Sequence, residues 1–180
     1  VFVSRDYHFN KVKTFHHMMD ERTQEEPRAW DLEGATHRAG FKIEELVEFV
    51  RAASPSEEDF DQALSQLHQA LDKAADKVAK KTPAQQDLIG QVDALIDTLY
   101  FTYGSFVLMG VDPERIFDIV HQANMGKIFP DGKAHFDPVT HKILKPDDWE
   151  EKYAPEPAIK KELQRQFKAY ERHKERNNTQ

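Results

Sequence analysis

The chain has 180 residues, enough for one domain to bury its own core, and a formal net charge of −7. It contains no cysteine, which excludes disulfides and thiolate metal sites and favours a reducing compartment. The negative charge argues against a general nucleic-acid-binding surface, and no stretch approaches the ~20 apolar residues that span a membrane. The N-terminus shows no basic and apolar targeting pattern. We therefore expect a cytoplasmic protein with neither nucleic acid nor a membrane as its partner.

Apolar residues at helical spacing predict five helices in the first part of the chain. The predicted ranges are 4–20, 35–53, 55–81, 83–109 and a fifth helix that starts at Asp112 and Pro113 and runs to Lys127. The fourth helix is the most apolar, because its centre, LIGQVDALIDTLYFTYGSFVLMG, has apolar residues on nearly every side. We therefore expect it to be the buried axis of the domain.

The composition changes after Lys127. Proline residues and an Asp-Gly turn predict an irregular arm with short β-like pieces, and a charged helix begins at Pro157. The expected fold class is all-α, a four- to five-helix bundle with an irregular C-terminal arm and a terminal helix. We place the helical bundle at 1–127 and the arm with the charged helix at 128–180, both within one domain.

Three glutamates lie among the apolar residues of the second predicted helix. Glu44 and Glu48 are four residues apart and Glu45 and Glu48 are three apart, so Glu48 shares a helix face with either. By themselves these glutamates are most simply interpreted as a solvated stripe. A second acidic pair on another helix would change that interpretation.

The fourth predicted helix carries such a pair, Asp93 and Asp97. Aspartate is a poor residue for a helix interior, and a buried carboxylate is costly unless it is paired or bound to a metal. Two interpretations remain open: basic partners, for which Arg38, Lys42 and Lys127 are candidates, or a hard divalent cation shared with the glutamates. We favour the cation, because Mg²⁺ prefers carboxylate oxygens and leaves positions for substrate phosphates.

The order of these acids resembles the all-α nucleoside triphosphate pyrophosphohydrolases, the MazG-like group related to phosphoribosyl-ATP pyrophosphohydrolases. That family has an ExxE motif on one helix and an ExxD motif on a later one. Glu45-Leu46-Val47-Glu48 matches the first motif, and Asp97 matches the aspartate of the second. The similarity covers residues 38–150 and continues through Gly110-Val111-Asp112-Pro113, His121-Gln122-Ala123-Asn124-Met125-Gly126-Lys127, Asp131-Gly132-Lys133 and Lys145-Pro146-Asp147-Asp148-Trp149.

The second motif departs from the family pattern at one ligand. The family's second glutamate falls at Ala94, whose side chain cannot bind a metal, and Asp93 is the adjacent acid, rotated by about 100° around the helix. The resemblance implies that Glu45, Glu48 and Asp97 bind Mg²⁺, with Mn²⁺ as a substitute. We expect Asp93 to take the place of the missing glutamate.

The resemblance also implies the reaction, which is hydrolysis of a nucleoside or deoxynucleoside triphosphate to the monophosphate and pyrophosphate. Positioning and charge neutralisation dominate phosphoryl transfer, and a bound Mg²⁺ bridges triphosphate oxygens. Glu44 or Glu45 is the candidate carboxylate that orients the attacking water. The expected substrate-binding residues are Asn124, Lys127, Lys133, Lys145 and Trp149, of which the lysines offer compact positive charges to phosphates.

Two of these residues have a structural alternative. Asn124 either binds a base edge or sugar or caps the end of its helix. Trp149 either closes over a base or attaches the arm to the helical bundle.

Two other functions compete with the hydrolase. A di-iron carboxylate bundle normally needs two Glu-x-x-His pairs, and the chain offers one imperfect copy, Asp118-Ile119-Val120-His121. A non-enzymatic helical interaction module would use the same acids to bind basic partners. We expect a nucleotide-hydrolysing enzyme rather than either of these.

The apolar surface also predicts self-association. The fourth helix and the amphipathic faces of 4–20 and 60–78 present more apolar surface than one chain covers comfortably. The resembled family builds its bundles from more than one chain. We therefore expect a homodimer, since a closed symmetric dimer is the commonest solution, with the arm of residues 128–150 folded over a nucleotide site that two subunits can share.

Overall fold

The computed structural model describes residues 4–19, 23–24, 26–82, 87–139 and 142–178. The described residues form seven helices: α1 Tyr7–Met19, α2 Leu32–Ala53, α3 Glu57–Val78, α4 Leu88–Met109, α5 Glu114–Met125, α6 Trp149–Tyr153 and α7 Glu156–Asn178. The all-α prediction is therefore confirmed. Within these ranges, each helix is too short or too polar to cross a lipid bilayer.

The predicted helices are all present, with ends that differ by a few residues. The helix α2 begins three residues earlier than predicted, because Asp31 caps it by accepting a hydrogen bond from the Gly34 backbone N–H at 2.7 Å. The predicted start of the fourth helix at residue 83 lies outside the described residues. The short helix α6 was not predicted, because five residues are too few to show helical periodicity.

The chain divides into two compact units, and the boundary between them falls inside α4. The central unit is Pro27–Asp97, and the terminal unit combines Val1–Glu26 with Thr98–Gln180. In the central unit α2 packs against α3, and Arg51 near the end of α2 forms an ion pair with Glu57 at the start of α3. This exposed ion pair joins the end of α2 to the start of α3.

In the terminal unit, α1 and α7 both pack against α5. The Tyr7 hydroxyl of α1 donates to Asp118 Oδ2 of α5 at 3.0 Å, and Lys11 Nζ lies 3.3 Å from Asp118 Oδ1. On α7, the Gln166 side chain accepts from the Asp112 backbone N–H at 3.0 Å and donates to the Asp112 carbonyl at 2.9 Å. The start of α5 is thereby fixed to the middle of α7.

The arm between α5 and α6 folds as an irregular loop with one short β contact. The Phe129 and Lys133 backbones are hydrogen-bonded at 2.9 Å around a turn at Gly132, whose φ of 76° suits glycine. The predicted β-like pieces meet as an antiparallel bridge between Phe136 and Ile143. The prediction of an irregular arm with short β-like pieces is confirmed for the described residues.

The prediction that the fourth helix is a buried axis is wrong for a single chain. Along α4, Ile89 is 83% exposed, Val107 is 77% exposed and Leu108 is 90% exposed. Among the described residues, the buried apolar side chains are only Ala123 and Trp149. The apolar composition of α4 correctly indicates a surface that favours burial, but the other helices of the same chain do not provide that burial.

Candidate metal and nucleotide site

The three glutamates predicted to form the first half of the site lie on the second half of α2. Glu44, Glu45 and Glu48 are all exposed. Glu45 and Glu48 are separated by one helical turn, so both carboxylates can reach one ion at the surface of the helix. The pair therefore has the oxygen chemistry and the local spacing that Mg²⁺ prefers.

The two aspartates of the second half lie in the first turns of α4. Asp93 and Asp97 are exposed and four residues apart, so they too share a helix face. Among the described residues, neither Asp93 nor Asp97 forms an ion pair with Arg38 or Lys42, two of the three basic partners considered in the sequence. Arg38 instead lies over the Phe41 ring, 5.5 Å from its centroid.

A side chain of α4 holds the segment that leads into α2. The Gln91 amide accepts from the Trp30 backbone N–H at 2.9 Å and donates to the Trp30 carbonyl at 3.0 Å. Asp93 is two residues beyond Gln91 and therefore lies near the start of α2, whereas Glu48 lies about 24 Å along α2 from Leu32 at a rise of 1.5 Å per residue. Measured along α2, Asp93 therefore lies near the start of the helix and Glu48 lies toward its end.

This arrangement tests whether one chain can hold the metal. Within the described residues, no three His, Asp or Glu side chains converge where they could bind one ion. Carboxylate oxygens fit Mg²⁺, and four carboxylates are offered by Glu45, Glu48, Asp93 and Asp97. In a single chain, however, these side chains are not close enough together to bind one Mg²⁺ ion. Each half presents an exposed acidic pair that needs further ligands.

Two of the predicted substrate-binding residues contact each other at the end of α5. Lys127 Nζ donates to Asn124 Oδ1 at 2.7 Å, and both side chains are half-buried. Next to them, the Tyr153 ring packs directly on Gly126, where any larger side chain would clash. The backbone between Asn124 and Lys127 therefore packs closely against Tyr153.

Trp149 and Lys145 contact each other at the end of the arm. Trp149 is 6% exposed, and its Nε1–H donates to the Ala123 carbonyl at 2.8 Å. Lys145 Nζ lies 3.8 Å from the centroid of the Trp149 ring, a cation–π contact. These contacts support the interpretation that Trp149 attaches the arm to α5. A contact from Trp149 or Lys145 to a nucleotide stays a prediction.

The remaining predicted lysine, Lys133, lies on an exposed turn of the arm. Its backbone N–H donates to Asp131 Oδ1 at 3.0 Å, and Asp131 Oδ2 lies 2.8 Å from His135 Nε2. The hydrogen bonds from His135 and then from the Lys133 backbone lower the pKa of Asp131. The His135 ring stacks on Phe129 with centroids 4.1 Å apart, so the turn that presents Lys133 is well defined.

Sequence reasoning missed the residues that fix the framework around these groups. Gln91 and Gln166 each hold a distant backbone segment, yet isolated glutamines have no recognisable pattern in a sequence. The His135–Asp131 pair could have been found, because the two residues stand four apart across an Asp-Gly turn.

Comparison with known proteins identifies the family. The phosphoribosyl-ATP pyrophosphohydrolase family model matches residues 12–124, more than half of the chain. The chain belongs to the phosphoribosyl-ATP pyrophosphohydrolase family. A crystal structure of a putative NTP pyrophosphohydrolase from Exiguobacterium sp. 255-15 is 38% identical, with a TM-score of 0.84 over 93% of this chain and 99% of that chain. None of the curated proteins matches the chain.

Family membership confirms the resemblance found in the sequence. A phosphoribosyl-ATP pyrophosphohydrolase-like chain is a hydrolase that acts on phosphoanhydride bonds, which contradicts both the di-iron bundle and the non-enzymatic module. The range matched by the family model contains the predicted metal ligands and ends at Asn124. The later residues predicted to bind substrate, Lys127, Lys133, Lys145 and Trp149, lie beyond that range.

Proposed function

We propose that the protein hydrolyses a nucleoside or deoxynucleoside triphosphate to the monophosphate and pyrophosphate in a Mg²⁺-dependent reaction in the cytoplasm. The observation that carries the proposal is that two exposed acidic pairs, Glu45–Glu48 on α2 and Asp93–Asp97 on α4, form no ion pair with a basic side chain among the described residues. A folded chain of this family keeps such like-charged pairs at modest cost when a cation offsets their repulsion. The absence of cysteine supports the assignment to a reducing compartment.

The residues that would hold Mg²⁺ are Glu45 and Glu48 from α2 and Asp93 and Asp97 from α4. When bound, the ion neutralises the charge that develops on the triphosphate oxygens. The family has its fourth carboxylate at the position of Ala94, and Asp93 is the residue just before it. The Asn124–Lys127 pair and the exposed Lys133 are proposed to contact the sugar and phosphates.

The chemical step is attack of a water oxygen on the α-phosphorus. The bond from the α-phosphorus to the oxygen that bridges it to the β-phosphorus breaks, and this oxygen leaves with pyrophosphate. Glu44 or Glu45 orients the water and takes up the proton that it loses. The oxygen of the water remains on the nucleoside monophosphate.

A symmetric homodimer with a shared site completes this proposal. The exposed apolar side chains of α4 require a cover, and a second copy of the chain provides one. The acidic pairs of α2 and α4 do not converge within one chain, so a shared site would join the pair of one copy to the pair of the other. The same contact between copies would then bury α4 and assemble the ligands.

The test is a panel of ribo- and deoxyribonucleoside triphosphates, with canonical and damaged bases, in which pyrophosphate release is measured with Mg²⁺, with Mn²⁺ and with chelator. We expect release that requires the cation and that Glu48→Gln or Asp97→Asn abolishes while circular dichroism shows unchanged helix content. Asp72→Asn, an exposed acid on α3, is the matched control and should keep full activity. Turnover that is unaffected by chelator, or retained in both site variants, would contradict the proposal.

A further inference from the structure

The helix α2 carries two cationic side chains just before its glutamates, at Arg38 and Lys42. Both are half-buried, whereas Glu44, Glu45 and Glu48 are exposed. Arg38 and Lys42 are four residues apart, so their positive charges face each other across one helical turn. Like charges at this spacing repel, and half-burial strengthens the repulsion because less water screens them.

The structure gives Lys42 no anionic partner among the described residues. Lys42 Nζ donates to the Arg38 carbonyl at 3.1 Å, so the side chain points back toward the start of α2. Glu45 is one turn ahead of Lys42 and could pair with it, yet no ion pair forms between them. Burial and then the charge of Arg38 lower the pKa of Lys42, and no carboxylate offsets these effects.

Arg38 is held in a similar way without an anion. Its guanidinium lies over the Phe41 ring, 5.5 Å from the centroid, and the His37 ring also makes an edge contact with Phe41, with centroids 4.8 Å apart. In a chain with 32 acidic and 25 basic residues, two neighbouring cations that lack a carboxylate partner are unexpected. A site that receives an anion from outside the chain explains their placement.

We propose that Arg38 and Lys42 form a clamp that binds the β- and γ-phosphates of the triphosphate, the part that leaves as pyrophosphate. This proposal rests on the proposed function and adds a pair of substrate-positioning residues to it. It does not depend on the terminal unit, since the clamp and the glutamates belong to the same helix.

Spacing along α2 fits this assignment. Lys42 lies about 4.5 Å and Arg38 about 10.5 Å before Glu45 along the helix axis. Glu45 is a candidate to orient the water that attacks the α-phosphorus, and Glu45 and Glu48 are proposed to hold Mg²⁺ beside it. A triphosphate that extends from them toward the start of α2 meets first Lys42 and then Arg38. Arginine binds phosphate oxygens in pairs through its planar fork, and lysine offers a single compact charge.

The clamp is tested by calorimetric binding of pyrophosphate in the presence of Mg²⁺, alongside steady-state hydrolysis of a triphosphate. Because a hydrogen bond to a charged group is lost, Lys42→Gln and Arg38→Gln should each weaken pyrophosphate binding by about 10- to 100-fold. They should weaken binding of the nucleoside monophosphate product less than twofold. Lys42→Arg, which keeps the charge, should recover most of the affinity for pyrophosphate.

Arg51→Gln is the matched control, because Arg51 lies on the same helix and its charge is already paired with Glu57. It should leave pyrophosphate affinity unchanged. Equal weakening by Arg51→Gln and Lys42→Gln would overturn the clamp, because the effect would then reflect general charge. Unchanged affinity in Lys42→Gln together with a weaker dimer would overturn it as well, since the cations would then pair with acids of a second copy. A wild-type protein that releases no pyrophosphate from any triphosphate would overturn the proposed function itself.

Discussion

The Gln91 side chain binds the Trp30 backbone at both its N–H and its carbonyl, at 2.9 and 3.0 Å. This pair of hydrogen bonds resembles one rung of a β-ladder, made by a side chain in place of a strand. It joins residues that are 61 positions apart in the sequence and fixes the start of α2 beside the start of α4. Each acidic pair lies on one of the two helices whose starts this contact joins.

Replacement of Gln91 by alanine should destabilise the central unit. Two hydrogen bonds are lost, but the contact is exposed and water can replace them in part, so we expect a loss of about 1 kcal/mol in the free energy of unfolding. Urea unfolding measures the change, with Gln69→Ala as the control, because Gln69 is an exposed glutamine on α3. Equal stability of the two variants would show that Gln91 does not hold α2 in solution.

The free energy of unfolding should depend on pH through Glu162 on α7. Glu162 is 8% exposed and accepts hydrogen bonds from Arg165 at 2.6 and 2.8 Å and from Gln166 at 3.0 Å. These bonds, with Arg165 contributing most, lower the pKa of Glu162 from 4.5 to about 2. The pKa is lower in the folded state than in the unfolded state, so the stabilisation is complete above pH 4.5 and is lost as the pH falls toward 2.

Urea unfolding of the wild type and Glu162→Gln at pH 7, 4.5 and 3 isolates this effect from that of other carboxylates. The wild type should be the more stable protein at pH 7, and the difference between the two should shrink at pH 3. A difference that stays constant with pH would mean that the Glu162 carboxylate contributes no charge-dependent stability.

The sequence predicted those features that depend on local periodicity. Apolar spacing places α2 and α3 to within a few residues, whereas the first residue of each is set by the capping side chains of Asp31 and Ser56, both of which accept a backbone N–H. The acidic pairs were recognised because glutamates and aspartates interrupt apolar helices in a known order. These signals are carried by residues within a few positions of one another.

Features that depend on the partner of a surface could not be predicted in this way. An apolar circumference shows that α4 favours burial, but not which chain buries it, and the expectation of a buried axis failed for that reason. A tryptophan at position 149 is compatible both with a contact to Ala123 and with stacking on a base. Only the contacts of its side chain distinguish these two roles. Likewise, only the structure shows that the Lys42 ammonium donates to the Arg38 carbonyl and forms no ion pair with a carboxylate among the described residues.

The apolar surface of α4 should hold two chains together. Light scattering at micromolar concentration should give twice the chain mass of 20.9 kDa, about 42 kDa. Phe101→Arg places a charge on α4 at a side chain that is 73% exposed and should shift the protein toward monomer. Phe167→Arg on α7 is a control of similar exposure, at 68%, and should remain dimeric. A monomeric wild type with full activity would contradict both the dimer and the shared site.

The chain has Ala94 where the family has a glutamate ligand, and Asp93 is the proposed replacement for that ligand. Asp93→Asn should weaken Mg²⁺ binding measured by calorimetry by about tenfold, because one charged oxygen ligand is lost. Asp72→Asn should leave it unchanged. Ala94→Glu restores the family pattern and should be tolerated, since the position lies on an exposed part of α4. Unchanged Mg²⁺ affinity in Asp93→Asn would mean that Asp93 is only a surface acid.

The shared site can be tested by complementation between two inactive variants. Glu48→Gln removes a ligand from the α2 half of the site, and Asp97→Asn removes one from the α4 half. If each site joins α2 of one copy to α4 of the other, a dimer with one subunit of each variant has one site with both lesions and one intact site. Co-expression of the two variants with different affinity tags supplies these mixed dimers.

In a random mixture half of the dimers are mixed, and each has one intact site out of two, so activity should recover to about a quarter of the wild-type value. Mixed dimers purified through both tags should reach about half. Each variant alone, and a mixture of Glu48→Gln with Glu45→Gln, should stay inactive, because two lesions in the same half cannot complement each other. If the four carboxylates of one chain formed the site, every site in a mixed dimer would carry one lesion. Mixed dimers without activity would therefore show that each chain holds its own metal.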